Sequence, residues 1–161
     1  MIPTDLRPIL GRGTAYATTA FGQSSGSGSN AFDGLMGPWQ STAASSNHWV
    51  QVDFPAAAMV ARYRVWAAPD ASNKDAPVDW ELQASSDATS WRIVDKRSNS
   101  EPPDTHGLGL TSASLVTLAV PHCEHTVASP AFYRYYRFLA TRTSGGGSNL
   151  KIGELELVGR K

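Results

Sequence analysis

The sequence predicts an all-β protein, an antiparallel jelly-roll β-sandwich, and three observations carry that reading. Short runs alternate apolar and polar residues with a period of two. Stretches rich in Gly, Pro, Ser and Asn separate them. No stretch holds a 3.6-residue apolar period over a helical length, and no repeat at solenoid or propeller spacing is present.

Taken in order, Met1–Gly13 carries two prolines and two glycines without a clear period, so it reads as an arm or a first edge strand. The domain proper is assigned to residues 14–161. Gly22–Asn30 is almost all Gly, Ser and Gln, which bury too little to offset their ordering entropy, and is read as a surface loop. His48–Phe54 alternates as a strand, and Val60–Trp66 repeats the pattern with Arg62 and Arg64 opposite Tyr63 and Val65. Asp79–Ser85 sets Trp80, Leu82 and Ala84 on one face, with Glu81 and Gln83 on the other. Trp91–Val94 follows the turn-like Ser86-Asp87-Ala88-Thr89. Ser114–Val120, Phe132–Ala140 and Leu150–Val158 complete the predicted strands. Ala68–Pro77, Ser98–Thr111, Pro121–Pro130 and Thr141–Asn149 are read as turn-rich connections.

A chain of 161 residues suits one domain with a single core. Its 14 basic and 14 acidic residues balance, which argues against nucleic acid or another polyanion as partner. Cys123 is the single cysteine, so the fold is expected to stand without an internal disulfide. The first residues lack the basic start and apolar run of a secretory signal, and no apolar stretch approaches the roughly 20 residues of a membrane span. The expectation is a soluble protein that faces a cell surface or is part of a virion, and is otherwise cytoplasmic.

Catalytic patterns are weak. Nucleophilic hydrolysis would need a Ser or Cys, a His base and an orienting carboxylate, and no nucleophile-elbow pattern is present. Asp75, Asp79 and Glu81 could supply paired carboxylates, but they sit at a strand edge where a structural role is expected. Gly145-Gly146-Gly147 lacks the strand-to-helix context and following Lys-Ser/Thr of a phosphate loop. Pro121-His122-Cys123-Glu124-His125 suggests zinc at first sight. In an extended strand, however, His122 and Cys123 point apart, and convergence would need a tight turn with His106 as a fourth ligand. The chain is therefore not expected to be an enzyme.

Several short motifs follow one another in a telling order. They are Ala31-Phe32-Asp33-Gly34, Trp39, Val52-Asp53-Phe54, Tyr63-Arg64-Val65, Asp75-Ala76-Pro77, Asp79-Trp80-Glu81-Leu82, Ser85-Ser86-Asp87, Trp91, Arg134–Phe138 and Ile152–Leu157. From about Ala17 to Gly159 the chain resembles a discoidin domain, the coagulation-factor C-type module. That module shares its galactose-binding-like fold with family 32 carbohydrate-binding modules. The chain departs from the clotting members in having no cysteine pair to join its ends.

The resemblance implies a non-catalytic adhesion module that binds carbohydrate through loops at one end of the sandwich. It names His48, Lys74, Asp75, Trp39, Arg142 and Asn149 as ligand candidates. Trp39 has an alternative place in the core, His48 could instead cap a loop, and Asp75 could hold its own turn. The resemblance also implies a structural calcium ion, held by the carboxylates of Asp33 and Glu154 and the hydroxyl of Ser41. Carbonyls of Asn30, Leu35 and Gly153 would complete the set, since hard cations take six to eight oxygens. The alternative is that Asp33 only caps its turn and Glu154 is an ordinary exposed strand residue. Membrane insertion is disfavoured, because Leu35-Met36 and Leu108–Leu110 are the only apolar loop tips. The alternative function is a docking domain for a protein partner within a larger assembly such as a bacteriophage virion or tail.

Overall fold

In the computed structural model the described residues are 6–11, 19–22, 28–41, 48–69, 75–146 and 149–161. Among the described residues ten strands form: β1 (Arg7–Leu10), β2 (Thr19–Gly22), β3 (Trp39–Gln40), β4 (His48–Trp66), β5 (Pro77–Ser85), β6 (Arg92–Arg97), β7 (Cys123–Thr126), β8 (Phe132–Thr143), β9 (Lys151–Ile152) and β10 (Glu154–Arg160). All pairings are antiparallel, as the all-β reading requires.

The two layers are joined by β4. Its first part pairs with β2 and β8, and β8 continues to β5 and β6. Its second part pairs with β10 and β7, and β10 continues to β1. The register slips between Asp53 and Ala58, where Pro55, Ala56 and Ala57 are exposed. Sequence reading expects two strands here, and the chain runs through as one. The bend holds because the buried Tyr136 hydroxyl donates to Ala58 O (2.7 Å) and accepts from Val60 N–H (3.2 Å). Arg7–Leu10, the expected arm or edge strand, is an edge strand on β10, with Ile9 fully buried.

Between the layers lie Val50, Val52 and Phe54 of β4, Trp80 and Leu82 of β5, Tyr136 and Phe138 of β8, and Leu155 and Leu157 of β10. These are the inward positions of alternating strands, and their burial is the main force holding the layers together.

Other expectations are corrected by the structure. Ser114–Val120 forms turns, with a single bridge between Leu115 and Leu35. Its hydroxyls compete for the backbone: Thr111 N–H donates to Ser114 Oγ (2.8 Å), and Ala113 N–H to Thr111 Oγ1 (3.3 Å). Conversely, the expected turn Pro121–Pro130 contains β7, which pairs with Arg62–Val65. Leu150–Val158 is interrupted at Gly153, where a Cβ would lie 2.7 Å from the carbonyl oxygen of Ala67.

Candidate functional site

Four stretches of chain meet at one end of the fold. His48 opens β4 opposite Ala140, Pro77 opens β5 opposite Thr143, and Gln40 faces Lys151. Backbone bonds close the arrangement: Lys151 N–H donates to Asp75 O (2.8 Å), Ser144 N–H to Ala76 O (2.9 Å), and Ser41 N–H to Leu150 O (2.9 Å).

Ser41 and His48 form the hinge of this end, and both are buried. Ser41 Oγ accepts from Leu150 N–H at 2.8 Å and lies 2.9 Å from His48 Nδ1. The Ser41 hydroxyl and His48 Nδ1 share one hydrogen bond, whose donor is set by the tautomer of the ring. Burial lowers the basicity of His48, and the nearby Asp75 only partly opposes that. Asp75 itself faces Lys151 Nζ at 3.8 Å, with both side chains mostly buried.

The pH consequence has a definite sign. Unfolded His48 binds a proton near its ordinary value of 6.5, whereas the folded ring resists until lower pH. Half-buried His125 is lowered likewise, chiefly by desolvation. Stability contributed by these rings is therefore full above about pH 6.5 and is lost as pH falls through their folded values. Thermal melts between pH 7.5 and pH 5 should show a falling Tm, flattened in a His48→Gln/His125→Gln double variant. An equally steep fall in the double variant would remove the histidines as its cause.

The structure sorts the remaining ligand candidates. Asp75 and Asn149 lie at this end, both half-buried. Trp39 does not serve as a platform: it is 1% exposed within the core, and a ring closed in on both faces cannot stack on a ligand. Arg142 is exposed but engaged, donating to Asp79 through Nε (2.8 Å) and Nη2 (3.0 Å), and also to Asn99. Those bonds hold the Asp79 carboxyl below the usual carboxylate range. Lys74 lies outside the described residues. Lys151, which sequence reading missed, is brought in by its register with Gln40; its place just before the Ile-Gly-Glu motif was the available signal.

Of the proposed calcium ligands, Asn30 lies in a 3-10 turn, Gly28–Ala31, that leads into the Asp33–Gly34 turn. Asp33 Oδ1 accepts from Leu35 N–H (2.9 Å), and the side chain is exposed, with its carboxyl shifted upward chiefly by partial desolvation. Glu154 is fully buried rather than an exposed strand residue, and its Oε2 accepts from Gly34 N–H at 2.7 Å. Gly153 N–H donates to Trp66 O (2.9 Å). Ser41 Oγ lies within hydrogen-bond distance of His48 and Leu150. The turn thus joins a buried carboxylate to the Asp33 segment, and the donors are oxygens that suit a hard cation. Among the described residues no group of three or more His, Cys, Asp or Glu gathers around one point.

The Cys-His segment is structural in its contacts. The rings of His122 and Trp66 stack at 4.6 Å, while His125 sits against Tyr63 (5.5 Å) and Trp80 (5.4 Å). Burial pushes the Cys123 thiol up to about 11, so it is a poor thiolate. No helix among the described residues is long and apolar enough to cross a membrane.

Solved structures with this fold include CBM32-3 from a family 31 glycoside hydrolase of Clostridium perfringens, with 17% identity and a TM-score of 0.65 over 89% of this chain and 91% of that one. The family 32 CBM of C. perfringens NanJ, solved in complex with galactose, aligns at 16% identity and a TM-score of 0.59, covering 88% and 92%. Chitosan-binding module 1 of a chitosanase/glucanase from Paenibacillus sp. IK-5 aligns at 21% identity and 0.59, covering 89% and 96%. At these identities the likeness is one of fold. Comparison with curated protein sequences gives no match. A family profile described as NedA-like, galactose-binding domain matches residues 30–118. Those residues make up more than half of the chain, which therefore belongs to the F5/F8 type C family of NedA-like, galactose-binding domains.

Proposed function

We propose that the domain is a non-catalytic module that binds a glycan at the loop end around His48, Asp75 and Asn149. The observation that carries this reading is the convergence of four chain segments there, tied by the Ser41–His48–Leu150 bonds and the Asp75–Lys151 pair. A sugar needs a few fixed donors and acceptors on a firm base, and this end supplies them. Asp75 is an acceptor, Asn149 is a donor, and His48 acts as a positioning residue through Ser41. The fold shared with a module solved in complex with galactose supports a galactose-type ligand. A setting outside the cell, where glycans are displayed, belongs to the same proposal. No particular contact favours docking within a viral particle or another assembly.

Calcium is part of the proposal as a structural ion near Asp33 and Glu154, with carbonyls of Asn30, Leu35 and Gly153. When bound it would brace the Asp33–Gly34 turn against β10 and stabilise the folded state by mass action.

A glycan array with calcium and with chelator tests the function. Saturable binding to galactose-terminated glycans is expected, weakened about tenfold by Asn149→Ala, the loss of roughly one hydrogen bond. A blank array from a well-folded protein would sink the glycan reading. A Tm unmoved by calcium or chelator would sink the metal.

A further inference from the structure

At the opposite end of the same layer, the β5–β6 hairpin and the start of β8 enclose an open pocket of about 390 Å³. Its wall includes Ser86, Asp87, Ser90, Trp91, Arg92 and Tyr133. The register Ser85–Tyr135–Asp53 marks this as the far end of the sheet from the His48–Ala140–Trp80 row. The pocket is therefore separate from the loop-end site.

The pocket is built firmly. Asp87 Oδ1 accepts from Thr89 N–H (2.9 Å), Ser90 N–H (2.8 Å) and Ser85 Oγ–H (2.9 Å), which fixes the hairpin turn. Those donors, Ser90 N–H foremost, hold the Asp87 carboxyl far below its usual range, so it is ionised. Trp91 is half-buried, and the Arg137 guanidinium lies over its ring at 4.1 Å. Arg137 is itself anchored through Nε and Nη2 to Gln83 Oε1 at 2.9 and 2.7 Å. The indole is thus fixed in place before any ligand arrives, which lowers the ordering cost of binding.

The other polar groups on the wall are unspent. Among the described residues, the side chains of Ser86, Ser90, Arg92 and Tyr133 make no hydrogen bond or ion pair. Hydroxyls, a guanidinium and a carboxylate beside an immobilised indole suit a ring with one apolar face and an edge of hydroxyls. Arg92 and Asp87 oppose each other in charge, so neither a net anion nor a net cation is favoured.

We propose that this pocket is a second subsite that takes one pyranose ring of a neutral sugar, making the domain bivalent for glycan chains. The inference does not rest on the loop-end reading, because its residues are different.

The test is a backbone and indole NMR titration of the whole domain with the methyl glycosides of glucose, galactose, mannose and N-acetylglucosamine. Saturable shifts at Ser86, Ser90 and the Trp91 indole N–H are expected with at least one of them. These shifts should persist in Asn149→Ala and vanish in Trp91→Ala. Since Trp91→Ala also removes the Arg137 contact, the exposed Arg92→Ala serves as the second variant. It should keep the dispersed spectrum of the folded domain and weaken binding at the pocket by at least about fivefold. Shifts confined to the loop end, no shift at the pocket with any of the four sugars, or unchanged affinity in Arg92→Ala would each overturn the proposal. Shifts at the pocket alone would uphold it and count against the loop-end site.

Discussion

Replacing Asp95 with alanine is expected to cost about 3 kcal/mol or more, a fall in Tm on the order of 6–12 °C for a domain of this size. Asp95 is 3% exposed and accepts from Tyr63 Oη–H (2.6 Å), Arg97 Nε (2.8 Å) and Arg97 Nη2 (2.9 Å). Trp80 Nε1–H donates in turn to Tyr63 Oη at 2.8 Å, and Arg97 reaches Thr126 O at 2.6 Å. The chain of bonds links β5, β4, β6 and β7, and so spans both layers. Burial and the bond to Asp95 push the Tyr63 phenol well above its ordinary range, keeping it a donor. Without the carboxylate, the fully buried Tyr63 hydroxyl loses its acceptor and the part-exposed Arg97 guanidinium keeps only Thr126 O, and unmet buried groups are costly. Asp95→Asn keeps one acceptor and should fall between alanine and wild type. Lys96→Ala is the control: its side chain is exposed, and its 3.8 Å pair with half-buried Glu81 should contribute within about 0.5 kcal/mol. An Asp95→Ala melt within about 2 °C of wild type would show that the network is not holding the layers.

Gly159→Ala should be comparably damaging, by about 4 kcal/mol, although it adds one methyl group. Gly159 sits at the β10 register slip between β1 and β4, pairing with Arg7 and Val60. A Cβ there would stand 1.7 Å from the Met59 carbonyl oxygen and 2.8 Å from its carbon. Both are backbone atoms, so no side-chain rotation can relieve the clash. The expected result is low yield or an early urea midpoint with exchange-labile amides in β1 and β10. The exposed Gly107, where nothing lies within 4 Å of a built Cβ, is not an equivalent control, since its φ of +80° adds strain. Wild-type stability in Gly159→Ala would mean that β10 can shift away from β4 at little cost.

Most of the sheet was legible because alternation reports burial directly. Val50, Val52 and Phe54, or Trp80, Leu82 and Ala84, are inward residues that a period of two identifies unaided. What alternation cannot report is a slip in register. Val94 and Asp95 are adjacent yet both buried, next to the irregularity between Leu82 and Gln83. An alternating reading sends one of them outward and so misses the inter-layer network. Ser114–Val120 misled because it is rich in β-branched and apolar residues while hydroxyls of Thr111 and Ser114 take the backbone at its start, and β7 was hidden by flanking prolines. At the loop end, the positions of His48, Asp75 and Asn149 were legible, but not their roles. That Ser41 meets His48 was hidden because Leu150, which reaches the same hydroxyl, is distant in sequence. The pocket beside Trp91 was read only as a turn, because the Tyr133 that completes it comes from another strand.

The long strand β4 belongs to both layers, and this has a consequence for how the molecule comes apart. A sandwich whose layers share no strand could in principle lose one sheet and keep the other. Here, freeing either sheet removes partners from one continuous strand, so partial states expose apolar area without recovering much chain entropy. Such states lie high in free energy, and the domain is built to unfold as a single unit, with its slowest-exchanging amides along β4.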